Sequence, residues 1–150
     1  MVMKTWIICA VFALATTGSF AFGKNKSHQA ANRAAQSLAT AYENVEHAVW
    51  SSAANNMTKA TFLLDGKPAT AFFNSDGDLI ATSIVACYAT VPKSVQKKWD
   101  KIQAETPVLE AFEMRSIEEH AYYLRTGNGG KDLVYRVTPE GFATVYSGKK

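Results

Sequence analysis

Apolar residues in this chain recur with two different periods, and the chain switches between them three times. Over residues 28–43 they fall three and four apart. Ala31, Ala34, Ala35, Leu38, Ala41 and Tyr42 share one face, and Gln29, Asn32, Arg33 and Gln36 take the other. That spacing predicts an amphipathic helix, with Ser27 at its N-cap. After Asn44 the period drops to two, and strands are expected over residues 45–51, 58–64, 69–73 and 79–87. Ala60, Phe62 and Leu64 point one way, and Lys59, Thr61 and Leu63 the other. Asp65-Gly66 is the signature of a two-residue hairpin, because a tight turn needs positive φ. Residues 51–56 and 74–77 supply the other turns.

The helical period returns after Thr90-Val91-Pro92, where Pro92 suits a first turn that has no partner for its N–H. Val91, Val95, Trp99 and Ile102 form the apolar stripe and Lys93, Lys97, Lys98 and Lys101 the wet side, and Pro107 ends the helix. Strands follow over residues 108–116, 120–126, 133–138 and 142–147, with Asn128-Gly129-Gly130 as a hairpin turn. Gly66 and Gly77 stand 11 positions apart, as do Gly130 and Gly141, and the two pairs are offset by 64 (130 − 66). At that offset Val45 meets Leu109, Trp50 meets Met114, Lys67 meets Lys131 and Gly77 meets Gly141. The expectation is an α+β fold made of a tandem repeat, one helix plus a four-stranded antiparallel meander in each unit. The units span residues 28–90 and 91–150. Both sheets need one face covered, so they are expected to join as one sheet of about eight strands with two helices on one face.

The other face is then open. Alternation turns Ala60, Phe62, Leu64, Ala71, Phe73, Tyr122, Leu124, Leu133, Tyr135 and Val137 toward the helices. It leaves Thr61, Leu63, Thr70, Phe72, Tyr123, Arg125, Val134 and Arg136 on the uncovered side. Aromatics and arginines on an uncovered face resemble an interface hot spot. Leu63, Phe72, Tyr123, Arg125, Val134 and Arg136 are therefore the candidate partner-binding set.

Charge and composition narrow the class. The chain has 150 residues and a formal net charge of +3, with its Lys and Arg scattered, which argues against nucleic acid. Lys4, the apolar run over residues 6–16 and Ser19-Phe20-Ala21 read as a secretory signal peptide over residues 1–21, followed by a polar leader over 22–27. The run is shorter than the roughly 20 residues of a membrane span, so no span is expected after cleavage. The expected location is outside the cytoplasm, periplasmic or extracellular. Cys9 goes with the signal, which leaves Cys87 and no intrachain disulfide. Cys87 follows Ile84-Val85-Ala86 and reads as a small buried hydrophobe.

Catalytic and metal-binding patterns are weak. Asn74, Asp76 and Asp78 alternate as in a calcium loop, but the twelfth position, where a bidentate Glu belongs, is Val85. A hairpin turn is the better reading. His28, His47 and His120 have no ligand at metal-binding spacing. Glu118-Glu119 reads as an exposed turn pair, and no serine lies in a nucleophile elbow. No cofactor, no metal and no enzymatic activity are expected.

The order and spacing of one set of motifs resembles a known family. Tyr42, Val45 and Trp50 are followed by Lys59-Ala60-Thr61-Phe62-Leu63-Leu64-Asp65-Gly66-Lys67, then Ala71-Phe72-Phe73-Asn74-Ser75-Asp76-Gly77-Asp78-Leu79 and Val91-Pro92. This is similar to the small exported PepSY-like proteins of Bacteroidetes-type bacteria, whose fold resembles β-lactamase-inhibitory protein (BLIP). The second half departs from the pattern, having no tryptophan that answers Trp50. The resemblance implies a concave sheet and an inhibitor-like module that binds a protein or peptide in the cell envelope. The alternative is a small-ligand carrier or envelope-sensor domain, holding its ligand between helices and sheet.

Overall fold

A computed structural model describes residues 26–127 and 132–146. The signal peptide, most of the leader, the Asn128-Gly129-Gly130 turn, Lys131 and Ser147 lie outside the described residues. In chain order the elements are α1 (Lys26–Ala41), β1 (Val45–Ser52), β2 (Thr58–Leu64), β3 (Lys67–Phe73), β4 (Leu79–Val85), a short 3-10 turn (Tyr88–Thr90), α2 (Lys93–Glu105), β5 (Val108–Ser116), β6 (His120–Gly127), β7 (Asp132–Val137) and β8 (Ala143–Val145). All eight strands form one antiparallel sheet, and strand order equals chain order. The fold class is α+β.

Pairing fixes the faces. Ile84 sits opposite Glu113, and Glu113 opposite Tyr122, so these three share a side. Ile84 packs in a cluster with Ala34 and Leu38 of α1, and Tyr122 in another with Val95 and Ile102 of α2. Both helices therefore lie on the same face. Beneath α1 the cluster is completed by Ala60, Phe62, Leu64, Ala69, Ala71 and Phe73, and beneath α2 by Val91, Leu124 and Val137.

The Asp65-Gly66 hairpin has positive φ at both residues, 50° and 75°, and Leu64 pairs with Lys67 across it. The turn after β3 needs its glycine for a second reason. Gly77 has φ +86°, and a Cβ there would lie 2.5 Å from the Ala30 carbonyl oxygen of α1. Gly141 repeats the arrangement at φ +92°, with the Ser94 carbonyl of α2 at 2.8 Å. Both glycines let a sheet turn lie directly on a helix backbone.

Several expectations need correction. α1 begins before Ser27, so Ser27 lies within the helix rather than at its cap, and α1 ends at Ala41, not Glu43. Ala31, Ala35 and Ala41 are exposed, and the inward stripe is narrower: Ala34, Leu38 and half-buried Ala30, Ser37 and Tyr42. Ser37 instead donates its hydroxyl to the Gly77 carbonyl at 3.0 Å. Pro92 is the cap residue of α2, with extended ψ 150°, rather than a residue of its first turn. β4 stops at Val85, so Cys87 lies beyond the strand and is only half-buried. His47 takes φ 53° inside a β1 bulge, not a regular strand position.

The constant offset of 64 also fails in one place. Trp50 pairs with Ala60, and Leu124, 64 positions beyond Ala60, pairs with Ala111. Ala111 lies 61 positions beyond Trp50. The chain between α2 and the β5 bulge is three residues shorter than that between α1 and the β1 bulge. Trp50 therefore corresponds to Ala111 rather than Met114, and Val45 does not correspond to Leu109.

Candidate functional site

Strand pairing places all six candidate residues on the face away from the helices. Leu63 sits opposite Pro68, Val85 opposite Phe112, Phe112 opposite Tyr123, Tyr123 opposite Arg136, and Arg136 opposite Thr144. Phe72 lies two rows away beside Lys59 and Ala81, and Arg125 and Val134 pair in another row. One line across the sheet thus presents Leu63, Pro68, Val85 and Phe112, with Met114 in the adjacent row opposite Ser83. Val85 is 43% exposed and Val49, near the β1 edge, is 58% exposed.

The six residues do not form one uniform surface. Tyr123 is only 7% exposed, although no helix covers it. Its ring stacks on Phe112 at 5.2 Å with 5° between planes and meets Tyr146 edge-on at 5.3 Å. Its hydroxyl donates to Glu119 at 3.0 Å, and Glu119 also accepts from Arg136. The Arg136 bond, against some burial, holds the Glu119 carboxyl below the usual carboxylate range. Burial, with the bond to Glu119, pushes the Tyr123 hydroxyl up. Glu119 is therefore a built part of the face rather than half of an idle acidic pair. Arg125 is held by Glu110 at 3.0 Å and Asp132 at 2.8 Å. Both arginines already have carboxylate partners, so they frame the apolar line. Leu63, Phe72 and Val134, all half-buried, are the members left to contact something else.

Phe112, Val85, Met114 and Tyr146 belong to this face and were missed. The signal was present, since residues 108–116 alternate Glu110, Phe112 and Met114 against Ala111, Glu113 and Arg115. Reading it required knowing which parity faced the helices.

Behind the same strands, on the helix side, lies a cleft of about 400 Å³. Its walls are Ile84, Val85 and Ala86 at the end of β4, Thr90, Val91 and Pro92 before α2, and Lys67, Glu113, Arg115, His120 and Tyr122. Glu113 accepts from Arg115 Nε and from His120 Nε2, both at 2.7 Å. Burial pushes the Glu113 carboxyl up, but these two bonds outweigh it and leave the group below its ordinary value. Sequence reasoning passed over this cluster, because only the pairing of β5 with β6 brings His120 opposite Arg115.

The Asn74 turn is closed by its own side chains. Asn74 Oδ1 accepts from the N–H groups of Asp76 and Asp78, and Asp78 is bridged by Arg33 of α1 at 2.8 Å. Among the described residues no three metal-ligating side chains gather, and no helix is long and apolar enough to cross a membrane.

No protein-family model matches the chain, and no curated protein matches it. Solved structures do. A BLIP-like protein from Bacteroides fragilis NCTC 9343 superimposes with a TM-score of 0.68 at 12% identity, over 79% of this chain and 88% of that one. A DUF2874 family protein from Bacteroides ovatus ATCC 8483 gives 0.65 at 14% identity, over 75% and 85%. A protein from Bacteroides eggerthii DSM 20697, named a candidate periplasmic protein, gives 0.64 at 15%, over 76% and 87%. At these identities the likeness is one of architecture: the chain has a BLIP-like fold.

Proposed function

We propose that this chain is an exported, non-enzymatic binding module that recognises a protein or peptide partner on the open face of its sheet. The observation that carries this reading is the apolar line Leu63, Pro68, Val85 and Phe112, which crosses a sheet face that neither helix covers. A line of apolar side chains on such a face marks an interaction surface. The partner supplies apolar side chains to this line and to Phe72, while Arg125 and Arg136, held by their own carboxylates, hold the rim in place. Export rests on the signal-like first 21 residues and is supported by the name of the Bacteroides eggerthii neighbour. The resemblance to PepSY-like proteins belongs to the same reading. So does descent of the two halves from one helix-plus-four-strand unit, for which the matched docking of Gly77 on Ala30 and Gly141 on Ser94 speaks.

The test uses the mature chain, residues 22–150, beside a Phe72→Asp, Val85→Asp double variant. Both side chains lie on the open face outside the buried clusters, so the variant is expected to melt close to wild type. In pull-downs from envelope extract, the wild type retains a partner and the variant loses it. Equal retention by a folded variant, or no retention by either, refutes recognition through this face.

A further inference from the structure

We propose that the cleft beside the start of α2 binds a small organic acid, with its carboxylate on Arg115 and Lys67 and its carbon chain along Ile84, Ala86 and Val91. This is independent of the open-face reading, since it concerns the opposite side of the same central strands. The cleft divides by chemistry. One part is apolar, from Ile84, Ala86, Val91 and Pro92, and the other carries Lys67, Glu113, Arg115, His120 and Tyr122. Its volume of about 400 Å³ is that of a small-molecule site.

The charges favour an anion. Lys67 and Arg115 face a single carboxylate, Glu113, so the lining keeps a positive excess even with His120 neutral. Glu113 is committed, its side chain 13% exposed and one oxygen accepting from both Arg115 and His120. It thereby orients the guanidinium. Arg115 donates to Glu113 through Nε, which leaves its two terminal nitrogens for an acceptor. Those nitrogens form the planar pair that matches a carboxylate. Arg115 and His120 are each 49% exposed at the side chain, so the polar end is open to solvent while the apolar end is backed by the sheet and the chain entering α2. The geometry suits a monoanion with an apolar body better than a bare inorganic ion, which would leave half-buried Ala86 and exposed Pro92 wet.

Sodium octanoate is the probe, with octylamine hydrochloride and sodium phosphate as controls, followed by amide chemical shifts of the full mature chain. Octanoate is expected to give saturable shifts at residues 84–86, 91, 113–115 and 120, and octylamine none. Arg115→Gln should weaken octanoate about tenfold or more, as loss of a charge-assisted bond does, and Lys67→Gln should weaken it less. Both side chains are at least partly exposed, so melting serves as the check on folding. If Arg115→Gln does not fold, Lys67→Gln decides alone. No saturable octanoate shift, equal binding of octylamine, phosphate binding without octanoate, or undiminished binding by the folded variants each overturns the proposal.

Discussion

The two halves of the sheet fill the same space with their bulk in different places. Beneath α1 the row that crosses the strands reads Trp50, Ala60, Ala71, Thr82. Beneath α2 the matching row reads Ala111, Leu124, Tyr135, Val145. The first is large at its edge and small in the middle, and the second is small and then large. The helices differ too. α1 contributes Ala34 and Leu38, while α2 brings Val95, Trp99 and Ile102. Ala60 and Ala71 have no exposed surface, and Trp50 closes the end of their row by packing on Phe73 at 5.3 Å. A close-packed interior constrains total volume more tightly than residue identity. The space beneath each helix can therefore be filled with little residue-by-residue likeness beyond the glycines.

The strongest way to break this comparison is through the largest fully buried side chain. Phe73 is fully buried, and Phe73→Ala is expected to cost about 4 kcal/mol. Val137, at the corresponding place under α2, is also fully buried but smaller, and Val137→Ala is expected to cost about 2 kcal/mol. Urea unfolding checks both, and equal costs would mean the two cores are not filled as the rows suggest. The glycines sharpen the comparison next. Gly77→Ala combines a left-handed backbone with a carbonyl at 2.5 Å and should cost about 3 kcal/mol. Gly141→Ala should cost slightly less, because its carbonyl stands at 2.8 Å. Gly66→Ala has φ +75° but nothing within 4 Å, and should cost about 1 kcal/mol. If all three melt alike, backbone strain alone sets the cost and the close approach to the helices does not matter.

The smallest expected effect is acid sensitivity at the seam between the halves. Glu113 sits below its ordinary value in the folded chain, so its contribution to stability is full above pH 4.5, the unfolded value, and fades as the pH falls through the folded one. Lowering the pH from 6 to 3 should therefore speed hydrogen exchange in β5 and β6. In Glu113→Gln that acid response should shrink, and an unchanged response would assign it to other carboxylates.

Much of the fold was legible because its signals are local. Asp65-Gly66 announces its own hairpin, and β5 begins and ends where alternation says, at Val108 and Ser116. The open face followed from parity alone. What stayed hidden depends on neighbours in space. Ala31 and Ala35 suit a buried face or a wet one equally, so their spacing could not reveal their exposure. The shift from 64 to 61 hides in a connection that has no periodicity. Tyr123 is buried by Phe112 and Tyr146, which come from two other parts of the chain. Tyr123→Ser would therefore disturb folding even though the ring lies on the open face. The cleft was the least legible, because Lys67, Glu113, Arg115 and His120 come from three strands and meet only when the sheet is complete.

Strand order has a kinetic consequence. Within each half, neighbouring strands are joined by five residues or fewer, but residues 86–107 lie between β4 and β5. The entropy of closing a loop rises with its length, so the short hairpins close early and the β4–β5 ladder is the late step. This ladder is the seam that joins the two halves into one sheet. The apolar line and the cleft lie on opposite faces of that seam, Val85 against Phe112 on one and Ile84 against Glu113 on the other. Neither surface is complete until that seam is zipped, so an occupant of either one would act as a clasp that stabilises the joined sheet.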